Sequence, residues 1–204
     1  FHGSGNHWFA GVSVNGKLLV NSNATPTNVP QTSSTVRANK TAGFSFVTWE
    51  NPTATTSVAH GLTGDAPEMI LTKSRDSTQY WQVYHHKITN TQKLYLNDTS
   101  AQVSSSMWPQ YPTQHEFSIN DGTNDSWIAY CFSSIEGYSL ISDYQSTSAK
   151  NFIYCGFKPA FLIVKKVTNS GDASYEGWIM FDSARGKYNL NQESLYANRS
   201  YVES

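Results

Sequence analysis

Residues 66–73 read APEMILTK, residues 81–85 read WQVYH and residues 94–97 read LYLN. Each is a short run of aliphatic, aromatic and β-branched residues next to Gly, Pro, Asn, Asp or Ser, the pattern of strands joined by turns. The same three phrases return in order as KPAFLIVK at 158–165, WIMFD at 178–182 and LYAN at 195–198. Two more pairs extend the correspondence, GFSFV at 43–47 with GYSLI at 137–141, and HGL at 60–62 with CGF at 155–157. The offset stays between 92 and 101 residues, and it changes in polar loops, where insertions are tolerated. Five matches in one order mark an internal duplication. A single β-meander cannot bury its apolar face alone, so the two units are expected to stack face to face or share a sheet.

Outward from the repeat, the same reading gives strands at 8–14, 17–20, 43–49, 56–61, 68–74, 81–85, 93–97, 116–119 and 126–132. Further strands are expected at 138–144, 151–157, 160–166, 177–182 and 194–198. No stretch carries helical periodicity. Asn15-Gly16 is a hairpin signal, because both residues tolerate the positive φ of a type I′ turn. The expected fold is all-β, an antiparallel, jelly-roll-like β-sandwich. Residues 21–42, NSNATPTNVPQTSSTVRANKTA, are polar and twice interrupted by proline, and read as an extended linker or surface strap. The expected division is therefore 1–20 as the last strands of an upstream module, 21–42 as linker, 43–136 as unit 1 and 137–204 as unit 2. Unit 2 reaches Ser204 before any counterpart of 116–119 and 126–132, so it is expected to be incomplete, with its last strands supplied from elsewhere. The start at Phe1 points the same way, to a fragment or processed product; no signal peptide is read.

Composition narrows the partners. Only 14% of the 204 residues are charged, against about 25% in an average soluble protein, while Ser, Thr and Asn make up about 30%. A net charge of −1 argues against a nucleic-acid binder working through phosphate neutralisation. No apolar run approaches the ~18 residues of a membrane span. Cys131 and Cys155 lie in apolar runs without a CxxC and read as two buried thiols in preference to a disulfide, which would need them adjacent in space.

No nucleophile, phosphate-loop, zinc or dinucleotide motif is present, so no catalytic residue, cofactor or metal ligand is expected. His85 and His86 are adjacent on a strand and point to opposite faces, which prevents joint chelation. His60 aligns with Cys155, which favours packing over catalysis. The carboxylates Glu50, Asp65, Glu68, Asp76, Glu116, Asp121, Asp125 and Asp182 lie mostly in turns, where Asp is favoured on geometric grounds. The loop from Asn120 to Asp125 is oxygen-rich but lacks EF-hand spacing. Trp49, Trp81, Trp108, Trp127 and Trp178 could stack on sugar rings, although Trp81 and Trp178 hold equivalent repeat positions and read as packing residues. Trp108 differs, lying in the turn-like MWPQYP of 107–112. That proline-stiffened loop, with Met107, Trp108 and Tyr111, is the expected surface contact for a glycan or protein partner.

Several phrases together resemble a known family. They are GKLLV (16–20), NVP (28–30), STVRAN (34–39), AGFS (42–45), HGL (60–62), APEMI (66–70), AYCF (129–132), EGYS (136–139), GFKPA (156–160) and DSAR (182–185). The series is similar to a domain of unknown function in virion structural and tail-fibre-like proteins of marine bacteriophages, over nearly the whole chain from Gly16. The resemblance implies a virion location and supplies no catalytic residues. It implies a non-enzymatic module of a tail fibre or similar appendage that aids host attachment and associates with other copies, as a homotrimer or a polymer. An extracellular filament subunit is the alternative. A glycan-binding or depolymerising tailspike domain is the further one, and as an enzyme it would need two acids facing one groove about 5–9.5 Å apart.

Overall fold

Alternating burial sets the strands. In Phe44–Glu50 the side chains of Ser45, Val47 and Trp49 are buried, and in Ser126–Phe132 those of Trp127, Ala129 and Cys131 are buried. Both runs present one apolar face and one half-solvated face, the period-2 signature of a sheet with one side on a core. The structure, a computed structural model, describes residues 11–14, 17–21, 30–50, 55–62, 64–168, 177–185 and 193–200. Its strands are β1 (Gly11–Val14), β2 (Lys17–Asn21), β3 (Ser34–Asn39), β4 (Phe44–Glu50), β5 (Thr56–Ala59), β6 (Met69–Ser74) and β7 (Gln82–His85). They continue with β8 (Gln92–Tyr95), β9 (Val103–Ser104), β10 (Glu116–Ile119), β11 (Ser126–Phe132), β12 (Phe161–Lys165), β13 (Trp178–Asp182) and β14 (Leu195–Tyr196). The one helical element among the described residues is a single 3-10 turn, Lys40–Ala42.

A seven-stranded antiparallel sheet runs β3-β4-β11-β6-β7-β8-β9. One face packs under the small β5–β10 sheet. Here Val47, Trp49, Ile70, Tyr84 and Trp127 meet Val58, Leu62, Met107, Trp108, Phe117 and Ile119. Trp49 and Trp127 sit opposite each other in the β4–β11 register and stack at 6.5 Å, with Phe117 edge-on to Trp49 at 5.6 Å. On the other face Val83, Ile88 and Leu94 pack with Trp178, joined by Met69, Leu71, Leu96, Ile163 and Val167. The β12-β13-β14 sheet thus lies against the large one, and the expected all-β sandwich is the fold found. The Trp178 indole donates to the Tyr95 carbonyl at 2.7 Å, which pins the two together.

The duplication holds in atomic detail. Met69 pairs with His85 and Leu71 with Val83; at the aligned positions Phe161 pairs with Asp182 and Ile163 with Met180. Tyr95 opposes Gln82 as Tyr196 opposes Ile179. Even the turn lock repeats: the Trp81 amide donates to Asn97 Oδ1 at 3.0 Å, and the Trp178 amide to Asn198 Oδ1 at 3.0 Å.

Two expectations are revised, and one lies outside the described residues. Within the predicted linker, Ser34–Asn39 is strand β3, paired with β4 from Ser34↔Trp49 to Asn39↔Phe44. An edge strand needs its backbone ladder more than an apolar face, and most of β3 is exposed. The predicted strands at 138–144 and 151–157 do not form; only an isolated Ile135↔Ser139 bridge is found there. Backbone groups in the first of them bond to side chains instead, as when the Ile141 amide donates to Ser134 Oγ at 2.9 Å. Their apolar side chains, Phe152 at 90% exposure among them, have no sheet to pack on. The Asn15-Gly16 turn and residues 8–10 lie outside the described residues, although β1 and β2 pair as a hairpin with Val14 opposite Lys17.

Candidate binding site

The loop expected to be a surface contact is largely interior. Trp108 is 1% exposed and Met107 is likewise buried, because the chain from 105 to 112 folds back across the core face of the large sheet. Tyr84 meets the Trp108 ring edge-on at 5.6 Å, and Asn90 Nδ2 donates to the carbonyls of Trp108 and Pro109, both at 3.2 Å. Tyr111 alone of the three stays outside, at 55% exposure. Trp49, Trp127 and Trp178 are also buried, and Trp81 stacks on Tyr130 at 6.1 Å. None of these four indoles is a free platform for a sugar ring.

The same fold-back creates a polar hollow of about 190 Å³ at the β7–β8 end of the sheet, lined by Gln79, Gln82, Lys93, Ser105, Ser106, Met107, Asn120 and Asp121. Sheet register explains its floor. Gln82 opposes Thr72 on one side and Tyr95 on the other, so the three share a face, which Lys93 joins two residues before Tyr95. The Lys93 ammonium sits 5.1 Å over the Tyr95 ring, and Tyr80 leans on that ring at 4.6 Å. Burial lowers the Lys93 pKa. No sequence motif announces this hollow, because four separate segments contribute to it.

A model of DUF7483, a domain of unknown function, matches residues 17–204. The chain belongs to the DUF7483 family. No curated protein and no solved structure matches it. In this DUF7483 chain several of the carboxylates hold turns and strand ends through backbone amides and side chains. Asp125 accepts from Ser74 Oγ at 2.7 Å and Ser77 Oγ at 2.6 Å, Asp76 from the Ser126 amide at 2.5 Å, and Glu68 from the Ser134 amide at 2.8 Å. Asp121 closes an Asx turn onto the Thr123 amide at 2.8 Å, and Asp182 pairs with Arg185. Both cysteines are free, Cys131 buried and Cys155 half-buried; burial pushes the Cys131 thiol up to about 12.

His60 is fully buried in the DUF7483 core and does the packing work expected of it. The Leu62 amide donates to its Nδ1 at 3.1 Å, so the ring proton sits on Nε2 and is donated to the Thr113 carbonyl at 3.0 Å. Burial, helped by nearby His115, lowers its pKa below the ordinary 6.5, against the Thr113 bond that favours the proton. His85 is lowered to about 4, first by burial and then by His86. For both, the unfolded chain takes up the proton first, so folding stability is complete above pH 6.5 and drains away as pH falls through the folded pKa values. Urea midpoints measured from pH 7.5 to 4 should fall steadily below 6.5, and His60→Gln should flatten part of that fall. A flat profile for the wild-type chain overturns this account.

Proposed function

We propose that this chain is a non-enzymatic structural module of a virion appendage of the tail-fibre kind, which assembles with other copies of itself and aids attachment to a host surface. The observation that carries the assembly part is the free edge of β12. In unit 1 the matching strand β6 is flanked by β11, with Trp127 opposite Ser74 and Phe132 opposite Met69. Among the described residues β12 pairs with β13 alone, and Phe161 and Leu162 on it are about half exposed. Tyr138, Phe152 and Tyr154 nearby in sequence are exposed as well. An open strand edge beside exposed apolar side chains is a template for pairing with another chain. The phage-like motif series supports the virion setting, and a surface poor in charge and rich in Ser, Thr and Asn suits an extracellular particle.

Light scattering on the purified chain should find a trimer or larger assembly. Leu162→Lys, which sets a charge on the open edge, should return it to monomer with an unchanged circular dichroism spectrum. A wild-type chain that is monomeric at all concentrations overturns the assembly reading. Cryo-electron microscopy of the assembly then separates the rivals: a closed trimer supports a fibre, and an open helical polymer a filament subunit instead.

A further inference from the structure

The polar hollow carries an inference of its own, which would supply the attachment step proposed above and is tested without reference to assembly. Gln82 is largely buried at the base of the hollow, and among the described residues its Oε1 has no hydrogen-bond partner. What the hollow does present to an entering molecule is almost wholly polar, from Gln79, Gln82, Lys93, Ser105, Asn120 and Asp121, so it offers hydrogen-bonding groups rather than an apolar wall. Lys93 adds a half-desolvated ammonium with no carboxylate at ion-pair distance among the described residues. Asn120 and Asp121 face the same space, and next to the lining residue Gln79 the half-exposed Tyr80 leans on Tyr95, the ring that also carries the Lys93 ammonium.

We propose that this hollow binds a single pyranose ring of a surface glycan, with Gln82 and Lys93 bonding its hydroxyls, Asp121 accepting from another, and Tyr80 covering an apolar face of the ring. The chemistry selects this class over others. Amides, hydroxyls, one ammonium and one carboxylate in a small space match the mixed donors and acceptors of adjacent sugar hydroxyls. A phosphate or sulfate would meet the Asp121 carboxylate beside the single cation, an unfavourable pairing. A hard metal ion would need several oxygen anions, and the lining has one carboxylate. At about 190 Å³ the space is below the ~300 Å³ of pockets that take larger ligands, which limits it to one ring.

The test is an amide chemical-shift titration of the whole chain with glucose, galactose, mannose, N-acetylglucosamine and, separately, inorganic phosphate. At least one of the sugars should shift the amides of Gln82, Lys93 and Asn120. Tyr80→Ala, at a half-exposed position, and Lys93→Met, which keeps the aliphatic stem of a partly buried side chain, should each weaken that sugar about tenfold while leaving the rest of the spectrum in place. Silence from all four sugars, a response to phosphate alone, or sugar binding that both variants leave intact overturns the proposal. Assembly of the same samples, read by light scattering, reports on the earlier proposal independently, so the failure of one is distinguishable from the failure of the other.

Discussion

Trp108→Ala is expected to lower folding stability by about 3–5 kcal/mol, the range for emptying a buried aromatic site. The indole is 1% exposed and packs edge-on against Tyr84 within the main core, so its loss leaves a cavity between the large sheet and β10 rather than a smoother surface. Against a total of roughly 5–15 kcal/mol for a typical domain, such a loss takes a large share of the stability. Tyr111→Ala, three residues on at an exposed position, should stay within about 0.5 kcal/mol. Urea denaturation of the pair provides the check. If both variants unfold at the wild-type midpoint, the loop is a surface feature after all and the packing described for it is wrong.

Gly43→Ala is the second large effect. Gly43 ends the 3-10 turn at φ +61°, a left-handed conformation that costs other residues roughly 1–2 kcal/mol. A methyl group there would also collide with the Ser133 carbonyl oxygen and come within 2.8 Å of Ile135 Cγ1. The position cannot move aside easily, because the Ser133 amide donates to the Gly43 carbonyl at 2.8 Å, closing the end of the β4–β11 ladder. Strain and overpacking together should cost about 2–5 kcal/mol. Gly122→Ala makes the control: it shares a positive φ of 73° but has nothing near its Cβ, so it should show the conformational part alone. Equal losses in the two variants would remove the steric half of the argument.

The sequence was most readable where local chemistry and tertiary setting agree. Residues 116–119 and 126–132 become β10 and β11 with no change of boundary, since their alternating apolar positions face the core. The duplication was readable because it rests on pairs of phrases, and the registers of β6–β7–β8 and β12–β13–β14 reproduce it. β3 was hidden because STVRAN looks like its Ser- and Asn-rich surroundings, and an edge strand asks little of its side chains. The reverse error befell residues 151–157: Phe152, Ile153 and Tyr154 favour a strand, but that preference is realised only beside cross-strand neighbours. Trp108 misled for a related reason. Two prolines mark a stiff loop, and nothing local to that loop says which sheet face it will cover. The polar hollow was beyond reach because Gln79, Lys93, Ser105 and Asp121 meet only once the strands are in register.

The central place of β11 has a consequence for the order of events at the ribosome. β11 lies between β4 and β6, joining residue 126 to residue 50 and residue 132 to residue 44, so the two halves of the large sheet cannot close on each other until it has been made. Roughly fifty residues separate the end of β6 from the start of β11, which at ~5–20 residues per second amounts to several seconds of synthesis. Through that interval the nascent chain carries two unfinished sheet borders, one on each half. Dependence on a holding chaperone should therefore concentrate in one window of translation and end abruptly as residue 132 clears the exit tunnel.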